Sequence, residues 1–203
     1  LRLAVPTTLA LDAMEKHVAD TFAATVARLK EAGALVDEIA IPEFAELGNI
    51  NSKGGFTAAE AWAWHRDLIA RAGKRYDPRV VSRIMRGQDM SAADYLDLLD
   101  AREAWVAAVD RRIAGYDALI MPTTPIVAPA VADLAASDEA YYAANGLILR
   151  NPTLINFLDG CALSLPCHAA GTAPVGLMIA GSNGADRRIL AIGLSVEELL
   201  AGR

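Results

Sequence analysis

The chain has 203 residues, enough to bury a core without disulfide or metal staples, and its 54% hydrophobic against 22% charged content excludes disorder for most of it. Its net charge is -6, with fifteen Arg and four Lys scattered among the acids and no basic run, which argues against nucleic acid as a direct partner. Two cysteines without a paired framework, and an opening LRLAVPTTL with no basic leader or cleavage site, point to a cytoplasmic chain. Because a strand pattern starts at the first residue, a Leu, the chain is expected to begin inside a longer protein.

Leu1 to Val5 reads as a strand closed by Pro6. Asp12 to Ala32 follows as a helix, with Met14, Val18, Phe22, Val26 and Leu29 at helical spacing, Asp12 as N-cap and Gly33 as the stop. Leu35 to Ile41 completes a strand, helix, strand unit. The middle is helical: Thr57 to Ala72, Pro78 to Arg86, and a long helix that starts at the Ser91-Ala-Ala-Asp94 cap and ends near Gly115.

Asp117 to Met121 is a short apolar strand, and Pro122-Thr-Thr-Pro125 with Pro129 cannot continue a ladder, so a loop must leave the strand end there. Such loops are where ligands usually sit in open α/β sheets. Helices are predicted near Ser137 to Ile148 and at Asp186 to Leu200. Between them, Cys161 to Ala185 carries no Asp, Glu, Lys or Arg. Pro166, Pro174 and four glycines interrupt this run, which excludes a membrane helix and predicts two short strands joined by a turn, buried under helices on both faces.

Local motifs provide no reaction centre. Cys161, Cys167 and His168 are too few and too widely spaced for a zinc site, and adjacent Cys167 and His168 would point to opposite faces of a strand. A triad through Ser164 and His168 would need Pro166 inside a helix. Ser52 and Lys53 diverge as neighbours. Glycine-rich phosphate loops and His-Glu-x-x-His are absent from the sequence, and no metal or cofactor is expected.

Several pieces in order carry a family likeness: Leu-Arg-Leu-Ala-Val-Pro at the start, Tyr116-Asp117-Ala-Leu-Ile-Met-Pro-Thr-Thr-Pro125, Asn156, Leu165-Pro166-Cys167 and Pro174-Val175-Gly176-Leu177. Together they resemble the carboxy-terminal half of the amidase signature family. The resemblance implies an α/β fold, a mixed β-sheet covered by helices on both faces, and hydrolysis or transfer of amides by a serine, a second serine and a lysine. Nothing in these residues matches that Ser-Ser-Lys core, which is expected before Leu1. This chain then supplies sheet and pocket, takes the amino-terminal half of the same domain as its partner, and is inactive alone. With its apolar face uncovered, it is expected to form a homo-oligomer or aggregate.

Asn156-Phe-Leu-Asp159-Gly160-Cys161 has Asp and Cys where the family's common form has Gly and Pro, a form similar to the allophanate hydrolase and small-amide branch. The amidotransferase members of the family carry an acid shortly before that Asn. Here stands Arg150, which would repel a substrate cation if it faced the pocket. The pocket candidates are Thr123 and Thr124 on the strand-end loop, Glu60 and Trp64 on the helix after the Gly-Gly turn, and Asn156, with a small amide as the substrate. The competing readings are a non-catalytic α/β binding module, a protein like the amidase component of an amidotransferase, and a thiol enzyme using Cys167.

Overall fold

A computed structural model describes residues 1–202. In chain order the elements are β1 (Arg2–Pro6), α1 (Lys16–Glu31), β2 (Leu35–Ile39), α2 (Glu43–Ile50), α3 (Gly55–Ala72), α4 (Pro78–Met85), α5 (Ala92–Ile113), β3 (Ala118–Pro122), α6 (Val131–Ala136), α7 (Asp138–Phe157), β4 (Cys161–Pro166), β5 (Gly176–Gly181) and α8 (Asp186–Leu200). They form two compact units, Leu1–Ala45 with the chain from Val106 onward, and Glu46–Trp105.

The larger unit holds a five-stranded sheet in the order β2-β1-β3-β5-β4. β1 is parallel to β2 and β3, whereas β5 is antiparallel to both β3 and β4, so the sheet is mixed. One face carries Leu3, Val5, Ile120, Leu177 and Ile179 against Phe22 and Leu29 of α1 and Ile189, Ile192 and Val196 of α8. Alternation along the same strands puts Ala4, Leu119, Met121, Met178 and Ala180 on the opposite face, where they too are buried.

Burial on both faces holds for β5 and fails for β4. β4 is an edge strand whose residues alternate between half-buried and exposed, because only the face with Leu163 packs, against α8 at Gly193. Its other face, Ala162, Ser164 and Pro166, is exposed. The missing charges therefore reflect two-sided burial in β5 and one-sided packing in β4.

Two helix boundaries differ from expectation, each for a visible reason. α1 starts at Lys16, not Asp12, because the Asp12 carbonyl accepts from Arg150 and Leu9 and Ala13 adopt positive φ of 63° and 48°. α7 runs unbroken through Pro152. An interior proline costs about 3 kcal/mol, but Leu154, Ile155 and Phe157 on this helix are buried, and each such side chain contributes about 1.5–3 kcal/mol. Burial outweighs propensity there. Helices α2 and α6 have no counterpart in the sequence reading.

In the smaller unit, Gly54 and Gly55 turn the chain into α3 with φ of 112° and 65°. The predicted cap of α5 is reciprocal: Ser91 Oγ accepts from the Asp94 N–H at 3.1 Å, and Asp94 Oδ2 accepts from the Ser91 N–H at 2.9 Å. Lys53 pairs with the same carboxylate at 2.5 Å. Led by the Lys53 hydrogen bond and then by the Ser91 N–H and hydroxyl, these contacts lower the Asp94 pKa from an ordinary 3.8 to about 2.

A carboxyl with a depressed folded pKa adds stability that is complete above its unfolded value and lost as pH falls through the folded one. The stability difference between the parent and Asp94→Ala should therefore be full at pH 7 and shrink between 3.8 and about 2 in denaturant titrations. A constant difference across that window would contradict the assignment. At Gly87, a Cβ would sit 2.1 Å from the Ala58 carbonyl oxygen, which backbone cannot easily yield. Gly87→Ala should cost about 1–3 kcal/mol in unfolding experiments, the usual range for overpacking.

Candidate active-site face

β3 and β4 both pair antiparallel with β5, and β1 is parallel to β3, so β1, β3 and β4 end on the same side of the sheet. The loops over residues 7–15, 123–130 and 167–175 emerge there. Thr123 anchors this face: its N–H donates to the Gly176 carbonyl at 2.8 Å, and its hydroxyl lies 2.5 Å from that of Ser164. A Cβ at 176 would push this hydroxyl pair aside, since it would meet Ser164 Oγ at 2.4 Å and Thr123 Oγ1 at 2.7 Å.

Two hydroxyls sharing one hydrogen bond leave a proton and lone pairs for a third group. Thr123 with Ser164 thus offers a polar handle that fits an amide. Thr124 instead turns its hydroxyl onto the Ile126 carbonyl at 2.9 Å and closes its own turn.

The other residues are distributed differently. Asn156 is exposed in the last turn of α7, and its carbonyl accepts from the Asp159 N–H at 3.2 Å. The buried asparagine is Asn151, which is fully enclosed. Its Nδ2 donates to the Ala10 carbonyl at 3.0 Å and the Pro122 carbonyl at 2.8 Å. Arg150 does not point at a pocket cation; its guanidinium donates to the carbonyls of Ala10 and Asp12 at 3.0 and 2.6 Å. The case against an amidotransferase that rested on Arg150 repelling a cation is thereby removed.

Asp159, at the position where the family's common form has Gly, has φ of 59°, a left-handed conformation that Asp tolerates better than most side chains. Asn183 donates to its carboxylate at 2.8 Å.

Glu60 and Trp64 lie in the smaller unit. Glu60 accepts from the Tyr95 hydroxyl at 3.4 Å, at a cavity of about 500 Å³ that Trp62 and Leu96 also line. Trp64 is 76% exposed.

Among the described residues no nucleophile is assembled. His17 Nε2 lies 3.0 Å from the Ala173 carbonyl, His65 Nδ1 2.7 Å from the Tyr76 hydroxyl, and His168 Nδ1 3.3 Å from the Val175 N–H. None of these partners is a serine or a cysteine. Burial raises the pKa of both thiols, and Cys167 Sγ donates to the Val175 carbonyl at 3.4 Å. Among the described residues no cluster of His, Cys, Asp or Glu could hold a metal ion, and no helix is long and apolar enough to cross a membrane.

The family model described as Amidase matches residues 1–190. The chain belongs to the amidase family. Among curated members, the 2-amino-5-chloromuconic acid deaminase of Comamonas testosteroni is 32% identical over 201 residues, covering 98% of this chain and 43% of that protein. A glutamyl-tRNA(Gln) amidotransferase component from Symbiobacterium thermophilum is 27% identical, covering 98% of this chain and 44% of that one. The allophanate hydrolase of Kluyveromyces lactis superposes with a TM-score of 0.85 at 22% identity, over 98% of this chain and 32% of that structure, and shares the amidase fold. This amidase-family chain spans less than half the length of the curated relatives it matches.

With raised pKa values, both thiols carry less thiolate near pH 8 than free cysteine does. Iodoacetamide labelling followed by mass spectrometry should therefore proceed more slowly at Cys161 and Cys167 than on glutathione. Faster labelling at Cys167 would revive it as a nucleophile.

Proposed function

We propose that the protein containing this chain hydrolyses the carbon–nitrogen bond of a small amide, and that these residues supply sheet and substrate face while the Ser-Ser-Lys set comes from sequence preceding Leu1. The match to the amidase family over residues 1–190 carries this reading. It is preferred to a histidine-assisted serine or thiol enzyme because, among the described residues, no serine or cysteine is bonded to a histidine, and an unassisted hydroxyl is a weak nucleophile.

The exposed face of β4 and its unpaired edge suit the amino-terminal half of the domain as partner. The isolated chain would cover that surface by dimerising or aggregating. Two free cysteines fit a cytoplasmic setting. Substrate contacts fall to Thr123 at the strand ends, with Thr124 shaping its turn and Asn156 at the exposed end of α7. Glu60 and Trp64 are proposed as further pocket residues, Glu60 by virtue of the cavity beside it.

Ammonia release from acetamide, propionamide, benzamide and glutamine tests the reading. The longer protein should hydrolyse at least one small amide, and the isolated chain none. Hydrolysis by the isolated chain would overturn the division of labour, and glutamine as the sole substrate would favour the amidotransferase reading. Thr123→Val, which keeps the shape but removes the hydroxyl, should lower kcat/KM by about tenfold, the worth of a hydrogen bond near 1.4 kcal/mol. An unchanged value would remove Thr123 from the substrate face.

A further inference from the structure

We propose that Arg150 and Asn151 are positioning residues that lock the loops after β1 and β3 into one rigid platform at the strand ends. That this platform faces substrate rests on the function proposed above. The locking itself rests on the bonds.

Asn151 is fully buried and has every polar group used. Both amide protons go to carbonyls, one in the loop after β1, Ala10, and one at the last residue of β3, Pro122, and its Oδ1 accepts from Arg150 Nε at 3.1 Å. The amide orientation follows from chemistry, because only the nitrogen can donate to two carbonyls. Arg150 spreads its remaining donors over the Ala10 and Asp12 carbonyls. Consecutive residues of one helix thus hold three backbone oxygens, two in the loop after β1 and one at the end of β3 from which the second loop leaves.

A second tie runs between the loops themselves. The Glu15 N–H donates to the Pro125 carbonyl at 2.8 Å, and Glu15 Oε2 accepts from the Val127 N–H at 3.1 Å. The held loop also contains Leu9 and Ala13 at positive φ. Side chains of this kind keep such conformations only where their surroundings impose them, and such positions cluster at active sites. Here the imposing groups are identified: Asn151 and Arg150 grip Ala10 and Asp12, each next to a strained residue. The residue of β3 held by the same amide, Pro122, immediately precedes Thr123.

The two side chains do different work. A guanidinium reaches separate carbonyls as a fork, whereas a lysine ammonium is a single point. Charge alone would therefore not replace Arg150, and an asparagine at 151 is replaceable only by a group with two donors.

Hydrogen–deuterium exchange on the full-length protein, comparing the parent with Asn151→Ala, Arg150→Ala and Arg150→Lys, tests the lock. The amides of Glu15 and Val127 should exchange at least tenfold faster in all three variants, with residues 178–180 and 192–196 unchanged. Arg150→Lys should behave like Arg150→Ala. Equal acceleration everywhere would reduce the pair to general fold stability, and no acceleration would show that the loops hold themselves; either result overturns the proposal. Should Asn151→Ala not fold, Arg150→Lys carries the test, since it preserves charge and most of the volume.

Steady-state hydrolysis of the best of the four amides supplies the second readout. Arg150→Lys should lower kcat more than it raises KM, by about tenfold in kcat/KM, because misplacement of bound substrate slows the reaction. Loosened loops with unchanged kinetics would overturn the positioning role. Hydrolysis by the parent decides the amidase reading separately.

Discussion

The larger unit depends on water being excluded from both sides of one antiparallel pair, β3 with β5. Ala118 to Met121 and Leu177 to Ala180 are all buried, and they pair residue for residue from Leu119 with Ala180 to Pro122 with Leu177. A strand without solvent on either face has no place for an unpaired charge. Backbone hydrogen bonding then absorbs the polar groups that remain. β1 and β2 add to one side of this pair, β4 to the other, and α1 and α8 cover one face.

That central pair also decides where chemistry can be placed. Its interior has no room for a polar site, so the polar groups gather at the ends, where Pro122 halts the ladder and Thr123 meets Gly176 and Ser164. The opposite end is occupied by structural charges: Asp117 accepts from the Arg2 N–H at 2.6 Å and pairs with Arg188, and these contacts hold its carboxyl below the usual range. One end of the sheet thus carries an ion pair and the other hydroxyls and tied loops.

Much of the fold was legible in the sequence because its signals are local. Helical spacing identified α1, α5 and α8, and the Ser91 and Asp94 pair marked a cap that exists in both directions. Failures came where a distant partner overrode the local signal. Asp12 looks like an N-cap until Arg150 takes its carbonyl, and the helix expected near Ser137 to Ile148 runs on to Phe157, where Leu154 and Phe157 are buried. The same holds for the site. Thr123 is a candidate on the strength of the proline-bounded loop alone, whereas the bonds made by Ser164 and Asn151 are not legible, because their partners lie 41 residues from Ser164 and 141 and 29 from Asn151. The one available signal for Asn151 was its position between Arg150 and Pro152.

The central claim is that amide chemistry takes place over the carboxyl ends of β1 and β3, with this chain as the substrate face. A crystal structure of the longer protein with a bound, non-hydrolysable amide analogue tests it most directly. The account predicts a polar atom of the analogue within hydrogen-bond distance of the Thr123 hydroxyl, above loops held as they are here. An analogue bound with no contact to the loops over residues 7–15 and 123–130 would contradict it.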